Sequence, residues 1–499
     1  MTSEGARLRA ADPGHADSVF KAGATAVRNG LEAEALPLLE AGVAQHPADA
    51  RLWQLLGLAY RNLEDLEPAL KALDKAAALA PADALIAHTR ARAALEAGLP
   101  AIDLFERARR LAPNDGAVIL GALAALFAEG RLDDSIAALD RLLHEHPGWL
   151  EGHALAARLR WLRGEGRHFT SSFERALETA PRDIRLWSGM IETLMHAASY
   201  DEALAAVARG RAAAGPHEAF DAFDAACAAE KGETAKADRL FARLGPPKQV
   251  AMAVRHIRHL LRSGRPEQAA ALAEPISGTK EGTPVWPYLS VAWRLLGDPR
   301  WQWLEGDERL VGIYDLTDRL PPLNALADRL RALHIATAQP LEQSVRGGTQ
   351  TDGPLFARIE PEIRALRAAV VAAVERHIAQ LPAPEPDHPT LIARRAPVRF
   401  SGSWSVRLQG AGFHANHVHP AGWISSALYV SLPPTGAGHE GWLAIGQPQA
   451  ELGIDLPPTR LVQPRPGRLV LFPSTMWHGT IPFEAGERLT VAFDVARPV

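Results

Sequence analysis

Three histidines near the end of the chain have the residue types and spacing of a metal site. His417 and His419 are separated by one residue, and His478 follows later in the sequence. If the first pair lies on a β-strand, both side chains point to one face and can reach the same ion. The turn and apolar strand at 466–473 can deliver His478 beside that pair. Three ligands on one side of a metal leave the other positions open for a cosubstrate and oxygen, as in non-heme iron sites.

The His-x-His pattern is weak by itself, because His144 and His146 repeat it elsewhere in the chain. That second pair is predicted to end a helix, where residues two apart point to nearly opposite sides and do not chelate. His256 and His259 have helical spacing but lie among arginines, and we interpret them as a solvated face. For the three histidines of the main cluster, the alternative interpretation is a set of ordinary polar strand residues.

A late arginine adds a second chemical feature. Arg488 and Thr490 share a face of a predicted strand. A guanidinium fork and a hydroxyl suit a carboxylate buried inside a β-barrel. The alternative is a surface arginine that pairs with Glu487 or Glu484.

The first half of the chain contains an internal repeat. Prolines recur at intervals of 34, 32, 34 and 34 residues: Pro47, Pro81, Pro113, Pro147 and Pro181. This period is typical of tetratricopeptide (TPR) repeats, which are pairs of antiparallel helices. One unit carries nearly the whole pattern: Trp53, Leu56, Gly57, Tyr60, Ala69, Leu73, Ala76 and Pro81. Five or six repeats are predicted, with a further degenerate unit and a helical pair after residue 216.

Stacked TPR repeats bury their apolar faces against one another and curve into a superhelix with a concave groove. We interpret the groove as a site for a peptide or protein segment. The alternatives are self-association and simple attachment of the next domain.

The sequence after residue 280 changes character. An aromatic segment (Trp286, Trp293, Trp301 and Trp303) is predicted to cap the repeats and to dock the next domain. A loop at 341–351 and a helix at 355–381 follow. Short β-type segments come next and predict a sandwich or jelly roll; we place strands near 398–408, 411–418, 423–432, 441–446, 468–473, 478–482 and 487–495. The predicted domains are a TPR region at 1–280, a junction at 281–330 and a jelly roll with flanking helices at 331–499.

Composition narrows the function classes. The net charge of −4 gives no indication of nucleic-acid binding, and no apolar run is long enough to span a membrane. The single cysteine fits a reducing compartment, and residues 1–12 lack a secretory leader. These observations predict a cytoplasmic protein and leave its oligomeric state open.

Taken together, these segments resemble the 2-oxoglutarate- and Fe(II)-dependent oxygenases, in the prolyl-hydroxylase-like branch of the double-stranded β-helix superfamily. The matching stretches are 343–351, 412–420, 425–433, 471–474 with His478, and 487–493. They cover about residues 330–499, and TPR repeats that precede such a domain are also similar to known bacterial proteins of this group.

The resemblance implies that His417, His419 and His478 bind Fe(II). The superfamily usually has Asp or Glu where His419 stands. A neutral histidine leaves the site one negative charge short, so zinc or a non-catalytic cupin-like role stays open as an alternative.

For the cosubstrate, the resemblance implies that Arg488, helped by Thr490, holds the distal carboxylate of 2-oxoglutarate. Tyr429 and Ser426 are candidates to line the same pocket, with barrel core as the alternative for each. Arg346 and Gln350 lie in the predicted loop, which is a candidate to close over the site or to touch substrate.

The implied activity is a 2-oxoglutarate-dependent hydroxylase whose TPR groove recruits a peptide or protein substrate. Two other functions stay open. One is a small-molecule oxygenase in which the repeats serve assembly, and the other is a non-catalytic TPR scaffold with a degenerate metal-binding barrel.

Overall fold

A computed structural model of the chain describes residue 8 and residues 12–336, 338–341, 344–434 and 438–498. The described residues form two compact units. The first contains the residues up to Ala138 together with Asp352–Arg367, and the second contains Leu139–Thr351 and Ala368 onward.

The N-terminal part of the chain consists of helices joined by short turns. Within the described residues the α-helices are Ala16–Arg28, Glu32–Gln45, Ala50–Asn62, Leu66–Leu79, Ala84–Glu96, Ile102–Leu111, Gly116–Ala128, Leu132–Glu145, Leu150–Arg163, Ser171–Thr179, Ile184–His196, Tyr200–Ala214, Glu218–Glu230, Thr234–Leu244, Val250–Arg262, Pro266–Ser277, Trp286–Leu296, Arg300–Glu305, Leu323–Leu333 and Pro361–Gln380. The repeating helical pairs confirm the predicted TPR architecture.

The recurring proline follows the end of one helical pair, and the residues after it cap the first helix of the next pair. Two residues after Pro181, Asp183 caps the helix Ile184–His196 by accepting a hydrogen bond from the Arg185 backbone N–H. The carbonyl of Pro181 accepts a bond from Trp187 Nε1 at 2.9 Å. The equivalent carbonyl of Pro47 accepts from Trp53 Nε1 at 3.0 Å. The 34-residue period therefore repeats a hydrogen-bonding pattern as well as a packing pattern.

A segment inside the predicted 331–499 domain, Asp352–Arg367, belongs to the first unit. In the segment Asp352–Arg367, the backbone N–H of Ile359 donates to the Ala97 carbonyl at 3.3 Å. Gly98 has φ +77°, and an added Cβ there would lie 2.3 Å from Arg358 Nη2. Arg364 forms an ion pair with Glu67. The segment is thus fastened to the repeats by backbone, packing and charge contacts.

In the second unit, the aromatic segment joins the last helical pair to the β domain. Trp286 and Trp293 are buried in one cluster with Leu260, Leu452 and Trp477. This cluster connects the helices directly to the loop that precedes His478.

The β domain consists of two antiparallel sheets. Its strands are β1 (Gly312–Asp315), β2 (Val345–Gln350), β3 (Phe400–His414), β4 (Ile424–Ser431), β5 (Leu443–Ile445), β6 (Arg460–Val462), β7 (Arg468–Pro473), β8 (His478–Thr480) and β9 (Glu487–Val495). The larger sheet has the order β1-β7-β4-β9-β3-β2, and the smaller has the order β6-β5-β8. Side chains from both sheets, including Tyr429, Phe472 and Ile445, share one core. The predicted jelly-roll class is confirmed.

Three local predictions were wrong. The predicted loop at 341–351 contains strand β2, which pairs with β3. The two strands predicted at 398–408 and 411–418 form the single strand β3, which is irregular where it pairs with β2. The helix predicted from 355 begins at Pro361, after a short 3₁₀ turn at Leu355–Ala357. Among the described residues, no helix combines the length and the apolar character needed to cross a membrane.

Candidate metal centre

Backbone hydrogen bonds hold two of the three histidines opposite each other. The N–H of His417 donates to the His478 carbonyl at 2.9 Å, and the N–H of His478 donates to the His417 carbonyl at 3.0 Å. Gly479 permits this close approach, since an added Cβ would lie 2.0 Å from Asn416 Oδ1. The loop after β3 and the start of β8 therefore form one rigid pair.

The third histidine completes a compact cluster. The N–H of His419 donates to the Ser474 carbonyl at 2.9 Å, which fixes the backbone beside the pair. One ring nitrogen from each of His417, His419 and His478 lies within 4.8 Å of the others. This is the only such cluster of potential metal ligands within the described ranges. The spacing suits one ion held by three imidazoles.

In each of the three rings, Nδ1 lies within hydrogen-bond distance of an oxygen acceptor. Nδ1 of His417 lies 2.8 Å from the Ala415 carbonyl, and Nδ1 of His478 lies 3.0 Å from the Met476 carbonyl. Nδ1 of His419 lies 2.6 Å from Asp494 Oδ2. These acceptors place the proton of each neutral ring on Nδ1, so Nε2 retains the lone pair that binds a metal.

Burial favours the neutral rings that a metal needs. It lowers the pKa of His417 and His478 well below the usual value, and the neighbouring histidines lower it further. His417 and His419 are partly exposed whereas His478 is buried, so the cluster has an open side. The donor set therefore fits Fe(II), and it fits zinc equally well.

Arg488 is a buried cation in the same domain. Its side chain is 2 % exposed, and Nη1 donates to Thr480 Oγ1 at 2.9 Å. The guanidinium carbon lies 5.2 Å from the centre of the Tyr429 ring. The predicted alternative of a surface arginine paired with Glu487 was wrong, because Glu487 pairs with Arg331 and Arg407.

Arg488 Nε and the neighbouring Tyr429 hydroxyl are both buried, and neither has a hydrogen bond of good geometry in the described structure. Burial lowers the pKa of Arg488 and raises that of Tyr429, and each group partly offsets the effect on the other. A buried guanidinium without a carboxylate partner is costly, so the arrangement favours binding of an acid from outside the chain.

Strand register decides which of the residues predicted to bind the cosubstrate share this interior face. Tyr429 pairs with Thr490 across β4 and β9, and Thr490 lies two residues from Arg488. Ser426 has the opposite parity to Tyr429, and its hydroxyl exchanges hydrogen bonds with the Phe493 backbone at 2.8 and 2.9 Å. The structure thus brings Arg488, Thr490 and Tyr429 together, whereas the Ser426 hydroxyl closes the β4–β9 ladder.

Arg346 and Gln350 lie on the edge strand of the larger sheet. Arg346 pairs with Phe413, and Gln350 pairs with Val406. Between them Gly347 has φ +66°, which accommodates an irregularity in the strand. Both residues are therefore held by sheet hydrogen bonds and do not lie on a free loop.

Sequence reasoning missed three residues around the cluster. His414 stacks on His417 with ring centres 5.7 Å apart, and burial lowers its pKa to about 3. Trp404 stacks on His419 at 5.6 Å, and Asp494 accepts the hydrogen bond from the same ring. The run from His414 to His419 contained a third histidine that signalled the first of these, whereas no local pattern signalled Trp404 or Asp494.

The two other histidine pairs differ from the cluster. His144 and His146 are exposed at the end of a helix. The interpretation of His256 and His259 as a solvated face was wrong. His259 is 2 % exposed and lies 2.8 Å from Asp238, and His256 stacks on Phe241.

Comparisons with known families agree with both halves of the fold. The profile of the family described as "Putative 2OG-Fe(II) oxygenase" matches residues 402–494. Two tetratricopeptide-repeat profiles match residues 50–83 and 100–159. The chain therefore has TPR repeats in its N-terminal part and a domain of this oxygenase family in its C-terminal part.

Solved structures that align with part of this chain include the following three. MamA from Desulfovibrio magneticus is 19% identical, with 34% of this chain and 97% of that chain covered and a TM-score of 0.30. A tetratricopeptide repeat protein from Parabacteroides merdae is 16% identical, with coverage of 48% and 95% and a TM-score of 0.31. YrrB, described as a TPR protein with an unusual peptide-binding site, is 15% identical, with coverage of 35% and 90% and a TM-score of 0.29. No curated protein sequence matched this chain.

Proposed function

We propose that this chain is an Fe(II)- and 2-oxoglutarate-dependent hydroxylase that acts on a peptide or protein substrate recruited by its TPR repeats. One observation carries the proposal. Three histidines each bring one ring nitrogen within 4.8 Å of the others, and the same domain contains Arg488, a buried cation with no carboxylate partner in the described structure.

Strand geometry links the metal cluster to the cation. Arg488 bonds to Thr480, which lies two residues after His478 on β8. Residues i and i+2 of a strand share a face and lie about 7 Å apart. A short diacid bound to the metal through its 2-oxo acid end would therefore extend toward the guanidinium.

His417, His419 and His478 would hold the iron. Arg488 would bind the distal carboxylate, with Thr490 and Tyr429 beside it on the same face. The unpartnered Nε and the Tyr429 hydroxyl supply two donors for an acid in this position. We assign the Ser426 hydroxyl to the sheet, because both of its hydrogen bonds go to Phe493.

When bound, the iron would let dioxygen convert 2-oxoglutarate to succinate and carbon dioxide while the second oxygen atom enters a C–H bond of the substrate. The protein would supply position and a dry pocket. The rings of His417 and His419 are partly exposed, so a substrate would approach the metal from their side of the cluster. Arg346 and Gln350, on the edge strand β2, are our candidates for contacts with that substrate.

Recruitment by the repeats is supported by a cleft within the first unit. The cleft is about 490 Å³ and is lined by residues of the helices Ala16–Arg28 and Ala50–Asn62 together with Leu85. Its wall combines apolar side chains such as Phe20 with the cations Lys21 and Arg28. Leu85, which lines the cleft, is 63% exposed and is therefore accessible to a bound segment.

The test is an anaerobic titration of the Fe(II)-loaded chain with 2-oxoglutarate, followed by visible charge-transfer absorption. We expect a band for the wild type and none for His478→Ala. Arg488→Ala should weaken 2-oxoglutarate binding by about 30-fold or more, because a charge-assisted bond contributes about 2 kcal/mol. The matched controls His439→Ala and Arg465→Ala change exposed residues of the same domain and should retain the band. Metal binding without any band would favour the non-catalytic scaffold.

Substrate class is tested separately with Leu85→Asp in the full chain. If the repeats recruit a peptide, hydroxylation of that peptide should fall while 2-oxoglutarate binding stays at the wild-type level. Unchanged turnover of a small substrate by the same variant would favour the small-molecule oxygenase.

A further inference from the structure

The one ligand histidine that replaces the usual acidic ligand is also the one that contacts a carboxylate. Nδ1 of His419 lies 2.6 Å from Asp494 Oδ2, although the two residues are 75 positions apart. The other two ligand rings, of His417 and His478, donate to backbone carbonyls. We propose that Asp494 is a positioning residue that supplies the metal site, through the His419 ring, with the negative charge that a carboxylate ligand would provide. This proposal rests on the proposed metal site.

The carboxylate of Asp494 is itself oriented. Ser425 Oγ lies 2.6 Å from Asp494 Oδ1 and 2.9 Å from Ser474 Oγ. A hydroxyl carries one proton, so Ser425 donates to the carboxylate and accepts from Ser474. Asp494 therefore accepts one bond on each oxygen, from Ser425 on one side and from His419 on the other.

The Asp494 carboxylate and the His419 ring are both largely shielded from solvent. Its side chain is 11% exposed and that of His419 is 18% exposed. Within the described residues, His419 is the only basic side chain within ion-pair distance of this carboxylate. The field of the carboxylate therefore acts on the ligand ring and, through it, on the metal.

Packing fixes the ring on its other side. The indole of Trp404 stacks on His419 with ring centres 5.6 Å apart and an angle of 14° between the planes. Gly422 makes room for the network, since an added Cβ would lie 2.6 Å from Ser474 Oγ and 3.1 Å from Asp494 Cβ. The stacking on Trp404 fixes the plane of the His419 ring, and the bond to Asp494 fixes its rotation, before a metal binds.

A carboxylate bonded to a ligand imidazole raises the basicity of that ligand and fixes its tautomer. Two neutral histidines plus one carboxylate give Fe(II) a net charge of +1 in the usual triad. Three neutral histidines plus Asp494 give the same total, with the negative charge one imidazole ring farther from the metal. The structure therefore offers a physical reason why histidine can replace the acidic ligand at position 419.

The test compares Asp494→Asn with Asp455→Asn, which changes an exposed carboxyl group of the same domain. Asn keeps the acceptor for His419 and removes the charge. We expect the Fe(II) affinity of Asp494→Asn to fall by about 10- to 100-fold, and its Fe(III)/Fe(II) midpoint potential to rise because the oxidised ion loses more stabilisation. Equal affinity and equal potential in the two variants would overturn the proposal.

Ser425→Ala should shift the Fe(III)/Fe(II) midpoint potential in the opposite direction to Asp494→Asn. Removal of the Ser425 donor leaves the carboxylate a stronger acceptor for His419, so the midpoint potential should fall below that of the wild type. A purely structural role would move both variants in the same direction and would overturn the proposal. If the wild-type chain binds no metal, the proposed function fails as well; if it binds metal and Asp494→Asn does not differ from it, the failure is confined to Asp494.

Discussion

The helical repeats and the β domain differ in how far apart in sequence their stabilising contacts are. In the repeats, Trp187 bonds to the Pro181 carbonyl six residues away, and Trp53 makes the equivalent bond to Pro47. In the β domain, His419 bonds to Asp494 across 75 residues, and Trp477 bonds to the Pro287 carbonyl across 190 residues.

This difference means that a change in a repeat should remain local, whereas a change near the cluster should alter stability and metal binding together. A helical pair draws its caps and its packing from one 34-residue unit and its neighbours. The metal cluster needs the loop after β3, the start of β8 and the end of β9 to be in place at once.

The largest effect is expected for Trp477→Ala. Trp477 is 2 % exposed, and its indole packs edge-on against Tyr288 at 5.5 Å. Its loss should lower the free energy of unfolding by about 3–5 kcal/mol and also weaken metal binding by the adjacent His478. Trp187→Ala in the repeats is the matched control, since it should cost comparable stability and leave metal affinity unchanged. Urea unfolding would measure the loss of stability in both variants, and metal titration would measure the change in metal affinity.

Acid should destabilise the β domain through His377. Its Nδ1 donates to the Tyr314 hydroxyl at 3.1 Å, and that hydroxyl donates to Gln380 at 2.9 Å. Burial lowers the pKa of His377 to about 4, and its Nε2 is buried without a partner. The unfolded chain takes up this proton near pH 6.5, so stability should fall between about pH 6.5 and 4, by up to about 3 kcal/mol.

His377→Gln should remove this part of the acid dependence, and exposed His144 in the repeats provides the control variant His144→Gln. Urea-unfolding midpoints at several pH values would give the slope of stability against pH for each variant. A slope that is identical in the wild type and in His377→Gln would contradict the assignment.

A smaller effect is expected for Gly479→Ala. The added methyl group would meet Asn416 Oδ1 at 2.0 Å and the His414 carbonyl at 3.0 Å. The strain should cost about 1–3 kcal/mol and should separate the paired backbones of His417 and His478, so that metal affinity falls too. Gly148→Ala in the repeats is the control, because an added Cβ there has nothing within 4 Å. Unchanged metal affinity in Gly479→Ala would show that the backbone pair does not position the ligands.

The same difference in reach explains what the sequence could predict. The repeats were recognisable because the prolines from Pro47 to Pro181 recur at intervals of 32 to 34 residues. The prediction that His417 and His419 lie on a strand was wrong, because β3 ends at His414 and both residues lie in the loop after it. Asp494, in contrast, is an acidic residue near the end of the mostly apolar strand β9, and only the fold brings it to His419.

Local composition was misleading where long-range pairing decided the structure. Gly347 and Gly348 indicated a loop, yet β2 is ordered by its pairing with β3, and the glycine accommodates an irregularity in the strand. The arginines around His256 and His259 indicated a solvated face, yet Asp238 and Phe241 bury that face from the preceding helical pair. In both cases the missing information was the identity of a packing neighbour on another helix or strand.

The smallest effect is expected for a helix cap in the repeats. Asp183 caps the helix Ile184–His196 through the Arg185 N–H at 2.9 Å. Asp183→Ala should lower the free energy of unfolding by about 1 kcal/mol, because one helix terminus loses its acceptor. Metal affinity should equal that of the wild type, since the cap contacts only its own repeat. A parallel loss of metal affinity would mean that the repeats and the cluster are energetically coupled, and the distinction between local and long-range regions would then not hold for this part of the chain.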